Sequence, residues 1–259
     1  MTDDPYASIA DIYDFSYEDF TEDVAFYENL ALSVDGPLLE LGVGSGRVAV
    51  PLAQAGYEVV GIDTSPSMLE QAQRRLNAAG KPKGSLELLG GDMTAFDLGR
   101  RFAMVIVAAN TFQHLLTTDE QLACLQQVRR HLLQDGLFAM SVRSPASISW
   151  EEADWAPLLL NWTRTDPTTG DVIMKFAAEQ PDPARMVRRL TYVYDRVSRD
   201  GGVRRSVFAT ELRHSTQAEI ALLLQQAGLR VTHVYGDYDL SPVGFGEDLV
   251  FVARLEEPA

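Results

Sequence analysis

Leu38-Leu39-Glu40-Leu41-Gly42-Val43-Gly44-Ser45-Gly46-Arg47 is the stretch that decides how this chain reads. A short apolar run leads into three glycines at alternate positions. An amphipathic run, Arg47–Ala55, follows and stops at Gly56. The pattern predicts a buried strand, a glycine turn and a helix. Glycines let the backbone turn sharply and let a ligand approach with no Cβ in the way. A nucleotide-like ligand would sit over such a turn, at the carboxyl edge of a sheet. A dinucleotide fingerprint needs its third glycine where Arg47 stands; here the third glycine, Gly46, comes one residue early. The Glu40 carboxylate would oppose a pyrophosphate but suits a ligand carrying an ammonium or sulfonium. The plain alternative is a glycine turn with no ligand.

Downstream, strand-like and helix-like runs alternate. Glu58–Ile62 reads as a strand ending at Asp63, and Ser65 caps a helix with Pro66 at its first position, running to about Ala79. Ser85–Leu89 and Met104–Ala109 read as strands, a helix starts at Thr118 or Asp119 and ends near Asp135–Gly136, and Leu137–Val142 reads as a strand. Such alternation implies crossover connections and a parallel sheet. Asp63 stands about 20 residues beyond the first glycine, where an acid can accept from both hydroxyls of a ribose. Capping of the next helix is its structural alternative. Met68, on that helix, either lines an adenine face or belongs to the core. Gly91-Asp92-Met93, after the third strand, can take an adenine amino group and cover the ring, or can form a simple turn.

Two segments depart from this rhythm. Tyr6–Leu32 has apolar residues at three- and four-residue steps and reads as helical. From Ser144 the pattern turns to long strand runs, Val172–Ala178, Met186–Arg199 and Val203–Arg213, parted by turn signals. This reads as an antiparallel insertion. Thr216–Ala227 returns to helix, and Arg230–Tyr235 with Leu249–Leu255 closes the chain as strands. The expected division is 1–35 as a helical lid, 36–143 as α/β core, 144–215 as antiparallel insertion and 216–259 as the rest of the core.

The chain has 259 residues, 46% of them hydrophobic, with a formal net charge of -15. That field repels polyanions, so nucleic acid is not an expected partner. Arg185, Arg188, Arg189, Arg204 and Arg205 read as a solvated strand face rather than a basic patch. The one cysteine, Cys124, excludes an internal disulfide, and its helical-spacing neighbours make it a core residue. No apolar run is long enough to span a bilayer, and Met1–Pro5 lacks the features of a signal peptide. A cytoplasmic protein, monomer or homodimer, is expected.

The ordered set Glu40-Leu41-Gly42-Val43-Gly44-Ser45-Gly46, Gly61-Ile62-Asp63-Thr64-Ser65 and Gly91-Asp92-Met93 resembles the class I S-adenosylmethionine-dependent methyltransferases. Val43 departs from the Cys or Ala of many members. The resemblance implies a Rossmann-like, mostly parallel seven-stranded sheet with helices on both faces, and S-adenosyl-L-methionine as cofactor, leaving S-adenosyl-L-homocysteine. It implies that Glu40, Gly42, Gly44 and Gly46 hold the methionine part, Asp63 the ribose, and Asp92 with Met93 the adenine, with Thr64, Met68 and Gly91 also expected against the cofactor. Within the family the chain looks similar to glycine and amino-sugar N-methyltransferases. These have an N-terminal lid with tyrosines, as Tyr6 and Tyr13 are here, and an antiparallel insertion after the fifth strand. There the loop Ala109-Asn110-Thr111-Phe112-Gln113-His114 would border the transferred methyl, with Tyr13 and Asn110 against the cofactor.

A methyl acceptor needs a free lone pair, so His114 is the candidate general base for a nitrogen or oxygen of a small molecule. Shaping the pocket is its other reading. Arg143, Trp150, Trp155, Trp162, Tyr192 and Arg213 are candidates to line a substrate lid, or else a hydrophobic core. His131 reads as a helix-end residue placed where positive charge is welcome. No His, Asp or Cys pair has metal-ligand spacing, so no metal is expected. A nicotinamide-dependent oxidoreductase and a non-catalytic S-adenosylmethionine-binding protein are the competing classes.

Overall fold

The computed structural model describes residues 4–151 and 156–256. Two sheets organise the described residues. The larger has seven strands: β1 Leu38–Leu41, β2 Glu58–Asp63, β3 Ser85–Gly90, β4 Phe102–Val107, β5 Leu132–Arg143, β10 Leu229–Tyr235 and β11 Asp248–Leu255. Their spatial order is β10-β11-β5-β4-β1-β2-β3. β1 to β5 pair parallel, and β11 runs antiparallel to both β5 and β10. The smaller sheet holds β6 Leu159–Thr165, β7 Val172–Asp182, β8 Val187–Val197 and β9 Val203–Arg213 in antiparallel order.

Helices α1 Glu22–Ala31, α2 Ala49–Ala55, α3 Pro66–Ala79, α4 Thr118–His131 and α5 Gln217–Gln226 pack on the larger sheet. β4 is buried along its whole length, as a strand covered on both faces must be. One core cluster joins β4 and β5 to α4 and α5, and another joins β1 and β4 to α1 and α2. Cys124 is a fully buried member of the first, and burial pushes its thiol up to about 12. Helix starts are chemically marked. Ser65 Oγ accepts from Met68 N–H, and Thr117 with Glu120 and Thr216 with Glu219 form reciprocal capping boxes.

Chain order reverses between β1 and β4. In open α/β sheets this is where loops part at the carboxyl edge and a ligand crevice opens. The loops after β1, β2, β3 and β4 all meet there.

Four local expectations are corrected. Tyr6–Leu32 is not one helix: residues 5–12 are turns, Tyr13–Tyr17 is a 3-10 turn, and only Glu22–Ala31 is α-helical. The apolar periodicity of the first part serves another purpose, because Ile9 and Ile12 pack on Ile173, Tyr194 and Phe208 of the smaller sheet. β5 starts at Leu132 rather than Leu137, and its register shift against β4 lets the Asp135–Gly136 turn signal sit inside the strand. β6 was not among the expected strands; its Leu159 and Leu160 are exposed and its pattern carries no clean alternation. The helix expected from Arg47 begins at Ala49, since Arg47 is engaged with Asp23.

Candidate functional site

A chamber of about 580 Å³ opens over the switch point. Its floor is the carboxyl edge of β1 to β4, its far wall is one face of the smaller sheet, and the turns around Tyr6–Tyr17 close its side.

The floor is made of loops that pass very close to one another. Gly42 has φ +66°, and a Cβ built there would lie 2.3 Å from Thr111 Cγ2. Only glycine meets both demands. Gly44 has φ +52°, and its N–H donates to Asp63 Oδ2 at 2.8 Å. Ser65 N–H donates to Asp63 Oδ1 at 2.9 Å. Asp63 thus bridges the turns after β1 and β2 and still faces the chamber. Burial raises its pKa from the usual carboxylate value. Asp92 lies at the third loop, where its Oδ1 accepts from Thr94 N–H and Oγ1, each at 2.8 Å.

After β4 the backbone turns through two consecutive left-handed residues, Ala109 (φ 51°) and Asn110 (φ 64°). Side chains other than glycine adopt this conformation at a cost, and such turns gather at functional sites. The turn throws Thr111–His114 under the chamber. Gln113 locks that segment from behind: its Oε1 accepts from Arg143 N–H at 3.1 Å, and its buried amide reaches His214 Nδ1 at 2.8 Å. His114, its neighbour, faces the cavity. Its Nε2 lies 3.5 Å from Tyr6 Oη and its Nδ1 3.3 Å from Thr210 Oγ1. The ring is solvent-accessible where it faces the chamber. Desolvation by the protein atoms packed around it lowers its pKa to about 4.

Tyr13, Gly42, Gly44, Asp63, Thr64, Met68, Gly91, Asp92, Met93, Asn110 and His114 come together on this chamber. Glu40 and Gly46 do not line it. Gly46 (φ +74°) is a packing glycine, with Ala72 Cβ and Val50 Cγ2 each 3.1 Å from where its own Cβ would stand. Glu40 is buried beneath the loop, and its Oε2 has no hydrogen-bond partner. Burial pushes its carboxyl up to about 8, against the opposing pull of Arg47. Arg47 is spoken for, gripping the buried Asp23 with Nη1 at 2.7 Å and Nη2 at 2.5 Å. An orphaned carboxylate oxygen is costly, and a ligand cation is what would complete it. The Asn110 side-chain oxygen is a second buried acceptor without a partner. These acid and acceptor groups fit a cofactor with an ammonium, a ribose and an adenine.

Of the proposed lid residues, Arg143 and Tyr192 line the chamber. Trp150 instead packs edge-on against His214, Trp162 against Tyr194, and Arg213 reaches Leu116 O at 3.4 Å. Trp155 lies outside the described residues. His131 is buried in the core, with its Nε2 accepting from Leu98 N–H and its Nδ1 against Gln127 O. It is the last residue of α4, at the helix end where the sequence reading placed it. Arg188 departs from the solvated strand face. It turns into the chamber and donates to Glu179 at 2.8 Å. The sequence reading missed Gln113, Lys175 and Glu179. Their partners are 9 to 159 residues away in sequence, on other elements, so no local spacing points to them.

Residues 38–136 match a family model described as a methyltransferase domain. The cypemycin N-terminal methyltransferase of a Streptomyces species is 27% identical over 206 residues, 79% of this chain and 77% of that protein. A Bacillus subtilis protein named YqeM is 28% identical over 56% of this chain, which spans 58% of that relative's length. Among solved structures, the CcbJ methyltransferase from Streptomyces caelestis is 29% identical with a TM-score of 0.77, covering 98% of this chain and 97% of that one. With the glycine turn, the acid at the end of β2 and the switch-point crevice in place, residues 38–136 form a methyltransferase domain, and the chain is similar along most of its length to known methyltransferases.

Proposed function

We propose that this protein moves a methyl group from S-adenosylmethionine to a nitrogen of a small molecule held between His114 and the smaller sheet. The observation that carries the reading is the two-ended chamber, with the acids Asp63 and Asp92 and the unpartnered Asn110 oxygen at one end, a cationic and aromatic wall at the other, and His114 at the seam. The cofactor supplies a methyl on a sulfonium, activated for in-line displacement. The chain's own work is to bind, orient and exclude water.

In this reading Glu40 and the backbone of Gly42 and Gly44 hold the methionine part, with Tyr13 and Asn110 beside it. Asp63 and Thr64 hold the ribose. Gly91, Asp92, Met93 and Met68 hold the adenine. The segment 1–35 and the insertion 144–215 act together as the cover over the acceptor. Nitrogen is favoured over oxygen by the state of His114. A ring whose pKa is lowered to about 4 is neutral near pH 7 and accepts protons reluctantly. That suits an amine, which can enter with its lone pair free, better than a hydroxyl, which must be stripped in place. The acidic surface and the single buried cysteine support a cytoplasmic enzyme, monomer or homodimer, that does not engage nucleic acid. No helix among the described residues is long and apolar enough to cross a membrane.

The test combines thermal shift with turnover. S-adenosylhomocysteine should raise the melting temperature and NADH should not. Methyl-labelled cofactor should then label members of a panel of small primary and secondary amines in preference to matched alcohols. Stabilisation by NADH alone, or labelling of alcohols alone, overturns the proposal.

A further inference from the structure

Lys175 stands on β7, opposite Tyr194 of β8, and faces the chamber. Its Nζ sits 4.2 Å from the centroid of the Tyr192 ring and 5.8 Å from that of Tyr194. It lies 3.3 Å from Ser16 Oγ. Among the described residues no carboxylate oxygen comes within 4.0 Å of this nitrogen, although the chain carries 37 acids against 22 Lys and Arg. The nearest acid on its own face of β7, Glu179, is four residues along, about 13 Å at strand spacing, and is held by Arg188. Arg143, a further cation lining the chamber, is paired with Glu247 and Asp248. Burial brings Lys175 down to about 8, the direction expected of a charge that is short of a counter-ion.

The corner around Nζ is rich in hydroxyl donors: Ser16, Tyr17 and Tyr194 all face it or the chamber beside it. Of the chamber's three acids, Asp63 and Asp92 belong to the opposite, cofactor end, and Glu179 is held by Arg188. A lysine left unpaired near the place where a cationic sulfonium must bind is electrostatically unfavourable unless an anion arrives with the acceptor.

We infer that Lys175, with the Ser16 hydroxyl, is the counter-ion for an anionic group, a carboxylate or a phosphate, on the amine substrate. This rests on the methyltransferase reading and narrows it: the acceptor is an amine with an anion on the same molecule. The aromatic rings of Tyr192 and Tyr194 set the height of the ammonium, and the hydroxyls share the load of binding the oxygens.

The experiment uses the full chain saturated with S-adenosylhomocysteine. Calorimetry or ligand-observed NMR follows the addition of inorganic phosphate in one arm and malonate in another, with sodium chloride at matched ionic strength as control. The wild type should bind at least one of the two anions, and the responsive arm identifies the group. Lys175→Met should weaken that binding at least tenfold, Lys175→Arg should stay within about threefold of wild type, and Ser16→Ala should lose about threefold. Affinity for S-adenosylhomocysteine should be unchanged in all three. The inference is overturned if cofactor-loaded wild type binds neither anion above the chloride control, or if Lys175→Met binds it as well as wild type. It is also overturned if Lys175→Met loses cofactor affinity, since the lysine would then serve the cofactor's own carboxylate. Should Lys175→Met not fold, the Ser16→Ala and Lys175→Arg pair decides: equal, undiminished binding in Ser16→Ala sinks the proposal. Failure of S-adenosylhomocysteine to bind wild type would instead refute the methyltransferase reading itself.

Discussion

The cofactor end of the chamber is built from backbone and acids, and the substrate end from side chains, cations and rings. At the first, Asp63 ties the turns after β1 and β2 by hydrogen bonds to Gly44 and Ser65, and Gly42 packs on Thr111 of the turn after β4, so almost every contact is local to a strand end. At the second, Lys175, Arg188, Tyr192 and Thr210 come from three strands whose facing depends on antiparallel register. A shift of one residue in that register would turn every one of these side chains away. The lesson is that a shared cofactor can be held by a fixed backbone device, while a particular acceptor needs a surface whose side chains can be exchanged without disturbing the loops.

The sharpest way to break the contrast is at Gly42, where both ends depend on the same backbone. Alanine there meets a left-handed φ and Thr111 at once. Gly42→Ala should cost about 2 kcal/mol, lowering the melting temperature by roughly 4–8 °C, and should weaken S-adenosylhomocysteine binding more than tenfold. A variant with unchanged melting and affinity would show that the loops are not in contact as described.

Asp63→Ala comes next. It removes an acceptor that faces the chamber and also ties Gly44 to Ser65. Cofactor affinity should fall at least tenfold, about 1.4 kcal/mol, while phosphate or malonate binding at the other end persists. Unchanged affinity by calorimetry would refute the ribose assignment. Loss at both ends would erase the division between them.

How much of this was legible follows the same division. The strand–glycine–helix run at Leu38–Ala55, the acid at Asp63 and the turn at Asp92 are contiguous signals, and each strand end they mark lies where the pattern placed it. Parallel strands joined by single helices leave little freedom between pattern and topology. The turns at Tyr6–Tyr17 were misread because their apolar spacing is helical while their partner is a sheet far along the chain. Gln113, locked to His214 across 101 residues, and Lys175, placed by Tyr192 and Tyr194, have no local signature at all. Glu40 was legible as an acid beside the turn, but its depth was not: burial under α2 follows from packing, which periodicity does not encode.

That depth gives a measurable proton linkage. The Glu40 carboxyl is raised to about 8 in the folded protein, above its ordinary value of 4.5. Between those values the folded state holds a proton that the unfolded chain has released. The contribution of Glu40 to stability therefore falls as pH rises from about 5 to 8. A bound ammonium favours the ionised form, so S-adenosylhomocysteine binding near pH 7 should release close to one proton. Calorimetry in buffers of differing ionisation enthalpy reads that number directly. In Glu40→Gln the release should vanish, and the melting temperature of the free protein should lose the part of its pH slope that Glu40 supplies. Binding with no proton release in the wild type would mean the carboxyl is already ionised, and would remove the electrostatic argument for its role.

The smallest expected effect, and the one that tests the seam between the two ends, is at His114. A ring held near pKa 4 adds no charge at pH 6–8, so it should contribute little to cofactor affinity. His114→Ala should lower turnover by about three- to tenfold, leaving S-adenosylhomocysteine binding within about twofold. His114→Gln, which can still meet Tyr6 and Thr210, should recover part of the loss if orientation is what the ring provides, and none if proton acceptance is. The wild-type rate should show no His114 inflection between pH 6 and 8, because the group titrates well below that window. An equal fall in turnover and affinity would leave His114 as a structural member of the loop, with methyl transfer resting on position alone.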